Sequence, residues 1–243
     1  MNIFTRISIT LLLSSICPLT QAGMTVYPME ISLGTKGADK IRVISQDDNV
    51  QFVKVILKKI AEPGTPKEHE IDATAEDKSN FIITPQKLAL AAGSERIVRL
   101  VSVMQPEKET TWRAYFESVS EDVFNHSEMA PAKGTASANV GVNVIWGALI
   151  HVAPKEVIAS LKYKNNTSTV VNDGTIRVPV KEIATCDDAG KCRWVKTNIT
   201  VYPNTDISFP GMTFSSNKHY KIKYINWLSR TTEEISLPAQ QVN

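Results

Sequence analysis

The residues of this 243-residue sequence whose chemistry could be put to work are four histidines, two aspartate pairs and three cysteines. The histidines, His69, His126, His151 and His219, are scattered, and none has the paired spacing of a zinc-protease helix. No phosphate-cradling glycine loop, dinucleotide fingerprint or nucleophile elbow occurs. Asp47-Asp48 and Asp187-Asp188 lie in turn-forming contexts, where solvated carboxylates are ordinary and a metal is not required. His151 falls inside an apolar alternating run, which reads as a strand-surface or interface residue rather than a base. Nothing here supports catalysis, and the sequence calls for neither a metal nor a cofactor.

The cysteines resolve once the compartment is considered. Residues 1–22 carry a basic start (Arg6), an apolar stretch over 7–16 and a small-residue ending, Thr20-Gln21-Ala22, the layout of a secretory signal peptide. Cys17 is no lipid attachment site, because Ile16 stands where a small residue is needed and Pro18 follows. Cleavage after Ala22 leaves Cys186 and Cys192, which flank the turn-forming loop Asp187-Asp188-Ala189-Gly190-Lys191. In an oxidising compartment such a pair is expected to form a structural disulfide across a hairpin. A metal site is the rival, but the spacing is unusual and no histidine is near in sequence. Beyond residue 22 no run approaches the ~18 apolar residues of a membrane span, so no membrane insertion is expected.

The elements that must position these groups are strands. Period-2 patterns recur over 25–33, 40–44, 50–60, 81–84, 97–101 and 112–119, separated by Gly, Pro, Asn and Asp turns, and no segment has a long helical period. Residues 120–138 are polar and rich in Ala and Ser, which reads as a long loop. The loop feeds the most informative segment, VGVNVIWGALIHVAP over 140–154. There Val140, Val142, Val144, Trp146, Ala148, Ile150 and Val152 form one unbroken apolar face. That row is longer than a small β domain ordinarily needs, so part of it could serve a partner; an ordinary core strand is the other reading. Trp112, Trp146 and Trp227 read as strand residues of the core. A second set of strands follows residue 154, and the pattern as a whole is that of an all-β sandwich protein, long enough for two domains. The 27 basic and 25 acidic residues are well mixed, without the basic stripe that nucleic acid would require.

The segment FIITPQKLALAAGSERIVRLV at 81–101 resembles the periplasmic chaperones of the chaperone–usher pathway, which carry a similar F-x-x-T-P stretch, apolar strand, tight turn and V-x-R strand. WRAYFE at 112–117 and the strand ending at Pro154 agree in order and spacing, so the likeness spans essentially the whole mature chain. NVIWGALI at 143–150, and the Cys186/Cys192 pair, are similar to the alternate branch that serves class 5 fimbriae. The resemblance implies a signal peptide (1–22) and two immunoglobulin-like β-sandwich domains in an L-shaped arrangement, 23–153 and 154–243. It also implies a periplasmic location, pilus subunits bound chiefly to the first domain, and delivery to an outer-membrane usher. Subunits of such pili lack a closing strand, and the chaperone lends one by strand addition. On this sequence the lent side chains would be Val140, Val142 and Val144, with Trp146 next in the row. Members of the family hold the terminal carboxylate of the pilin with an arginine and a lysine. Here Glu30 and Leu149 occupy those places, and Ala153 replaces an arginine that helps to fix the interdomain angle. Arg113 is the nearest cationic substitute for the anchor; a surface salt bridge is its plain alternative. Self-association of the free protein through the same edge is left open. Two further readings stand beside this one: an immunoglobulin-like pilus subunit or adhesin, and a secreted carbohydrate-binding module.

Overall fold

The computed structural model describes residues 23–125 and 144–241. Residues 1–22 and 126–143, the latter including Val140 and Val142, lie outside the described residues. The first half runs β1 (Met24–Tyr27), β2 (Glu30–Leu33), β3 (Ala38–Ser45), β4 (Gln51–Ala61), β5 (His69–Asp72), α1 (Ala75–Asn80), β6 (Phe81–Thr84), β7 (Lys87–Leu90), β8 (Glu95–Ser102), β9 (Thr110–Val119), α2 (Glu121–Asn125) and β10 (Ile145–Val152). One sheet has the order β1-β3-β8-β6; the other is β2-β10-β9-β4-β5, with β7 also on β4.

Alternation decides which side chains meet between these sheets. In β4 Val53 and Val55 turn inward while Lys54 faces water, and in β3 Ile41 and Val43 do the same. With Val98, Leu100, Ala114, Phe116 and Ile150 they form one continuous core. Complete removal of such a side chain from water is worth about 1.5–3 kcal/mol each, so this pattern holds the sandwich together. The run over 25–33, which reads as one strand, is two. Pro28 has no N–H to continue a ladder, so β1 pairs with β3 in one sheet while β2 joins β10 in the other.

The second half contributes β11 (Leu161–Tyr163), β12 (Thr169–Asn172), β13 (Val178–Cys186), β14 (Cys192–Val201), β15 (Asp206–Ser208), β16 (His219–Asn226) and β17 (Thr231–Leu237). They make sheets β11-β12-β15 and β14-β13-β16-β17 around a separate core. Its centre is aromatic: Phe214 packs on Tyr163 and Tyr220 with ring centroids 5.3 and 5.0 Å apart. The chain is therefore all-β, built as two immunoglobulin-like sandwiches. Cys186 and Cys192 face each other in register at the β13–β14 hairpin and are joined by a disulfide.

Three expectations need correction. The polar stretch after β4 contains strand β5, whose side chains are all exposed and so carry no apolar alternation. The first residues of the long loop after β9 form α2, fastened by Phe124 on the Phe52 ring, 4.8 Å between centroids. Trp227 lies in the turn after β16 rather than in a strand core, and its indole N–H donates to Glu109 at 3.1 Å.

Candidate functional site

The apolar row on β10 serves two purposes along its length. Ala148, Ile150 and Val152 are buried in the first core, so this half belongs to the protein itself. Trp146 packs half-buried at the rim of that core, its Nε1 buried with no hydrogen-bond partner among the described residues. Val144 precedes the strand and is 44% exposed, as is Ile145 at 50% on the opposite face. The division matters because β10 is paired unequally on its two sides. Against β9 the ladder covers 145–152, but against β2 it covers only 149–152. The backbone of residues 145–148 thus has an edge that no described strand pairs with, beside the exposed side chains of Tyr27 and Met29. An unpaired edge flanked by apolar side chains is a template for another strand.

The outward face of β10 carries the charge. Glu30, Leu149, Arg113 and Lys58 stand in one row across β2, β10, β9 and β4. The strand β5 then lays carboxylates against the cations: Asp72 lies 2.7 Å from Lys58, and Glu70 lies 2.7 Å from Arg113. Tyr115 donates its hydroxyl to the same Glu70 oxygen at 2.6 Å, and Glu68 stands 4.0 Å from the guanidinium. Arg113 and Tyr115 both lean over Gly147. A Cβ built there would lie 3.3 Å from Arg113 Cδ and 3.3 Å from the tyrosine ring. Glycine at this position therefore leaves a gap through which Arg113 lies across β10 toward the unpaired edge.

Further along the same face the two sandwiches meet. Glu109, its side chain wholly buried, accepts hydrogen bonds from the backbone N–H of Arg177 at 2.9 Å and from its guanidinium. Arg177 also donates to Ser32 at 2.8 Å and stacks over Trp227, 4.6 Å from its centroid. His151 is buried between them, with Nδ1 3.4 Å from Glu109 and Nε2 3.5 Å from Glu30. Burial alone would push the Glu109 pKa up; the neighbouring His151 and the Arg177 charge outweigh it and hold the carboxyl below its usual range. Beside it, burial pushes the Tyr202 hydroxyl up to about 12, and its ring stacks 6.0 Å from His151. Ala153 is buried and has no charge to give, so Arg177 and Glu109 make the charged link between the domains.

Sequence reasoning placed Arg113 beside β10, and the register agrees, opposite Leu149. It identified neither Glu70 nor the Glu109–Arg177 pair. For Glu70 a signal exists: Glu68, Glu70 and Asp72 alternate, which puts three carboxylates on one side of a strand. For a pair of residues 68 positions apart no local pattern could have served.

No family model matches the chain. Among curated proteins it is 31% identical to a CFA/I fimbrial protein of Escherichia coli, over 76% of this chain and 79% of that one. It is 28% identical to a CS1 fimbrial protein of Escherichia coli, over 77% and 80%. Among solved structures, the class 5 fimbriae chaperone CfaA superposes with a TM-score of 0.71 at 27% identity, covering 89% of this chain and all of that one. A chain from a chaperone–tip adhesin complex of CFA/I fimbriae biogenesis gives 0.70 at 28% identity, covering 90% and 100%. The similarity spans both sandwiches, and the chain belongs to the pilus chaperones of the chaperone–usher pathway, on the class 5 fimbrial branch.

Proposed function

We propose that this protein is a periplasmic, non-enzymatic chaperone that captures fimbrial subunits by lending them a strand and passes them to an outer-membrane usher. The observation that carries this is the half-paired strand: β10 is laddered along its whole length to β9, yet its other edge is free over 145–148. The apolar row continues outward through Val144 to Val142 and Val140, beyond the residues that the first core uses. In this reading those valines, with Trp146 at the boundary, fill the open groove of a pilin while the backbone pairs with its exposed edge. Arg113, reaching over Gly147, receives the terminal carboxylate of that pilin. The first domain is 23–153, the second 154–243, and residues 1–22 direct export. A pilus-subunit identity fits less well, because β10 closes the first sandwich with its own residues and leaves no core uncovered.

The test is co-expression with a fimbrial subunit of a class 5 operon, followed by co-purification from the periplasm. Val142→Glu puts an unpartnered charge into an apolar groove and should abolish the complex, while the free chaperone keeps its melting temperature. Asn143→Glu faces the other way and should do much less. Equal recovery of the pilin with both variants refutes strand donation; unfolding of the free Val142→Glu protein places that valine in the chaperone's own core.

A further inference from the structure

Arg113 is not an empty anchor. Glu70 already sits on it at 2.7 Å, Glu68 waits at 4.0 Å, and the Tyr115 hydroxyl is spent on the same Glu70 oxygen. These carboxylates come from a strand with no buried face and no core residue to contribute. Their placement is fixed from two sides. The ladder to β4 sets Glu70 opposite Ile60 and Asp72 opposite Lys58. The β4–β5 turn is seated against the second domain, where a Cβ on Gly64 would come within 2.9 Å of the Tyr202 ring.

We propose that Glu70 is a built-in competitor for the carboxylate site, occupying Arg113 in the free chaperone and being displaced by the terminal carboxylate of an incoming pilin. The proposal rests on the reading of Arg113 given above and adds what determines the strength and selectivity of that site. A guanidinium offers five donors and holds a carboxylate by a two-pronged contact. Glu70 takes one prong through Nη1, while Nη2 has only the distant Glu68. A peptide carboxylate arriving over Gly147 can take both, and Tyr115 is released to bond it. The competitor lowers the affinity for any carboxylate, so a free chain end alone is held weakly and retention needs strand pairing as well. It also keeps an unpaired arginine from standing open in a cleft.

The experiment uses the full mature chain and a dye-labelled octapeptide of alternating valine and threonine, ending either in a free carboxylate or in an amide, with binding read by fluorescence anisotropy. A half-exposed ion pair is worth up to about 1 kcal/mol, so Glu70→Gln and Glu70→Ala should each tighten binding of the acid peptide by about two- to five-fold. Binding of the amide should not change, and adding Arg113→Ala should remove the gain. Unchanged, absent or weaker binding of the acid peptide to both Glu70 variants overturns the proposal, as does a gain shared by the amide. If instead Arg113→Ala alone leaves acid and amide peptides bound as in the unaltered protein, the anchor reading itself fails, and the competitor with it.

Discussion

Replacing Arg177 by methionine tests whether the two sandwiches are held by a buried charge pair. The substitution keeps much of the apolar stem but removes the guanidinium contacts to Glu109 and Ser32 and the stacking over Trp227. It leaves a wholly buried carboxylate with the Trp227 indole, a backbone N–H and His151 as its remaining partners. Breaking one side of such a pair costs about 3–5 kcal/mol, whereas replacing both partners by apolar groups is often neutral or favourable. Arg177→Met should therefore lower the unfolding free energy by about that amount, and Arg177→Met with Glu109→Leu should recover most of it. The pH dependence gives a second check. In the unaltered protein Glu109 is held below its ordinary value, so its contribution is present above the unfolded pKa of about 4.3 and is lost as pH falls through the lower folded one. In Arg177→Met burial becomes the dominant influence and raises that pKa, reversing the sign. The gap between the two proteins should shrink on acidification from pH 7 to about 3. Urea denaturation at several pH values reads all three effects. A single variant within about 1 kcal/mol of the parent, or a double variant as unstable as the sum of its parts, refutes the reasoning.

Gly147→Leu fills the gap over which Arg113 and Tyr115 lean, so it should displace the guanidinium and reduce pilin recovery several-fold with little loss of the chaperone's own stability; recovery equal to the parent would show that Arg113 does not act across β10. Cys186 and Cys192 should be unreactive toward thiol reagents until reduced. Replacing both by serine should cost about 2 kcal/mol, as expected for so short a loop, and leave pilin capture intact; a capture defect in folded protein would give the hairpin a binding role.

The parts of the fold that were legible in the sequence are those in which one strand face is buried and the other wet. The β4 segment shows this directly, because Val53 and Val55 alternate with Lys54 and the same alternation appears in their burial. Turn chemistry was equally plain at the Cys186–Cys192 hairpin, where the intervening residues admit little else. Legibility stops where periodicity carries no information. Strand β5 buries nothing and is held by pairing to β4 and by ion pairs, so its composition is that of a loop. Trp227 looks like a core tryptophan but packs against Arg177 from another part of the chain. On the site itself, the length of the apolar row raised the question of a second client. Only the register of β2 shows where along β10 the protein's own pairing ends.

That end point has a consequence. The chain enters β2 from the other sheet through Pro28, and the carbonyl of Met29 closes the ladder by accepting from the Leu149 N–H at 2.8 Å. A strand added beside residues 145–148 would therefore stand in the same column as β2, end to end with it, and could advance only until it met Met29. The crossover works as a ruler: it converts sliding along an otherwise featureless edge into a single stop. Because a slip of one residue would turn every side chain of the added strand to the wrong face, a fixed stop sets register before any side-chain pocket is consulted.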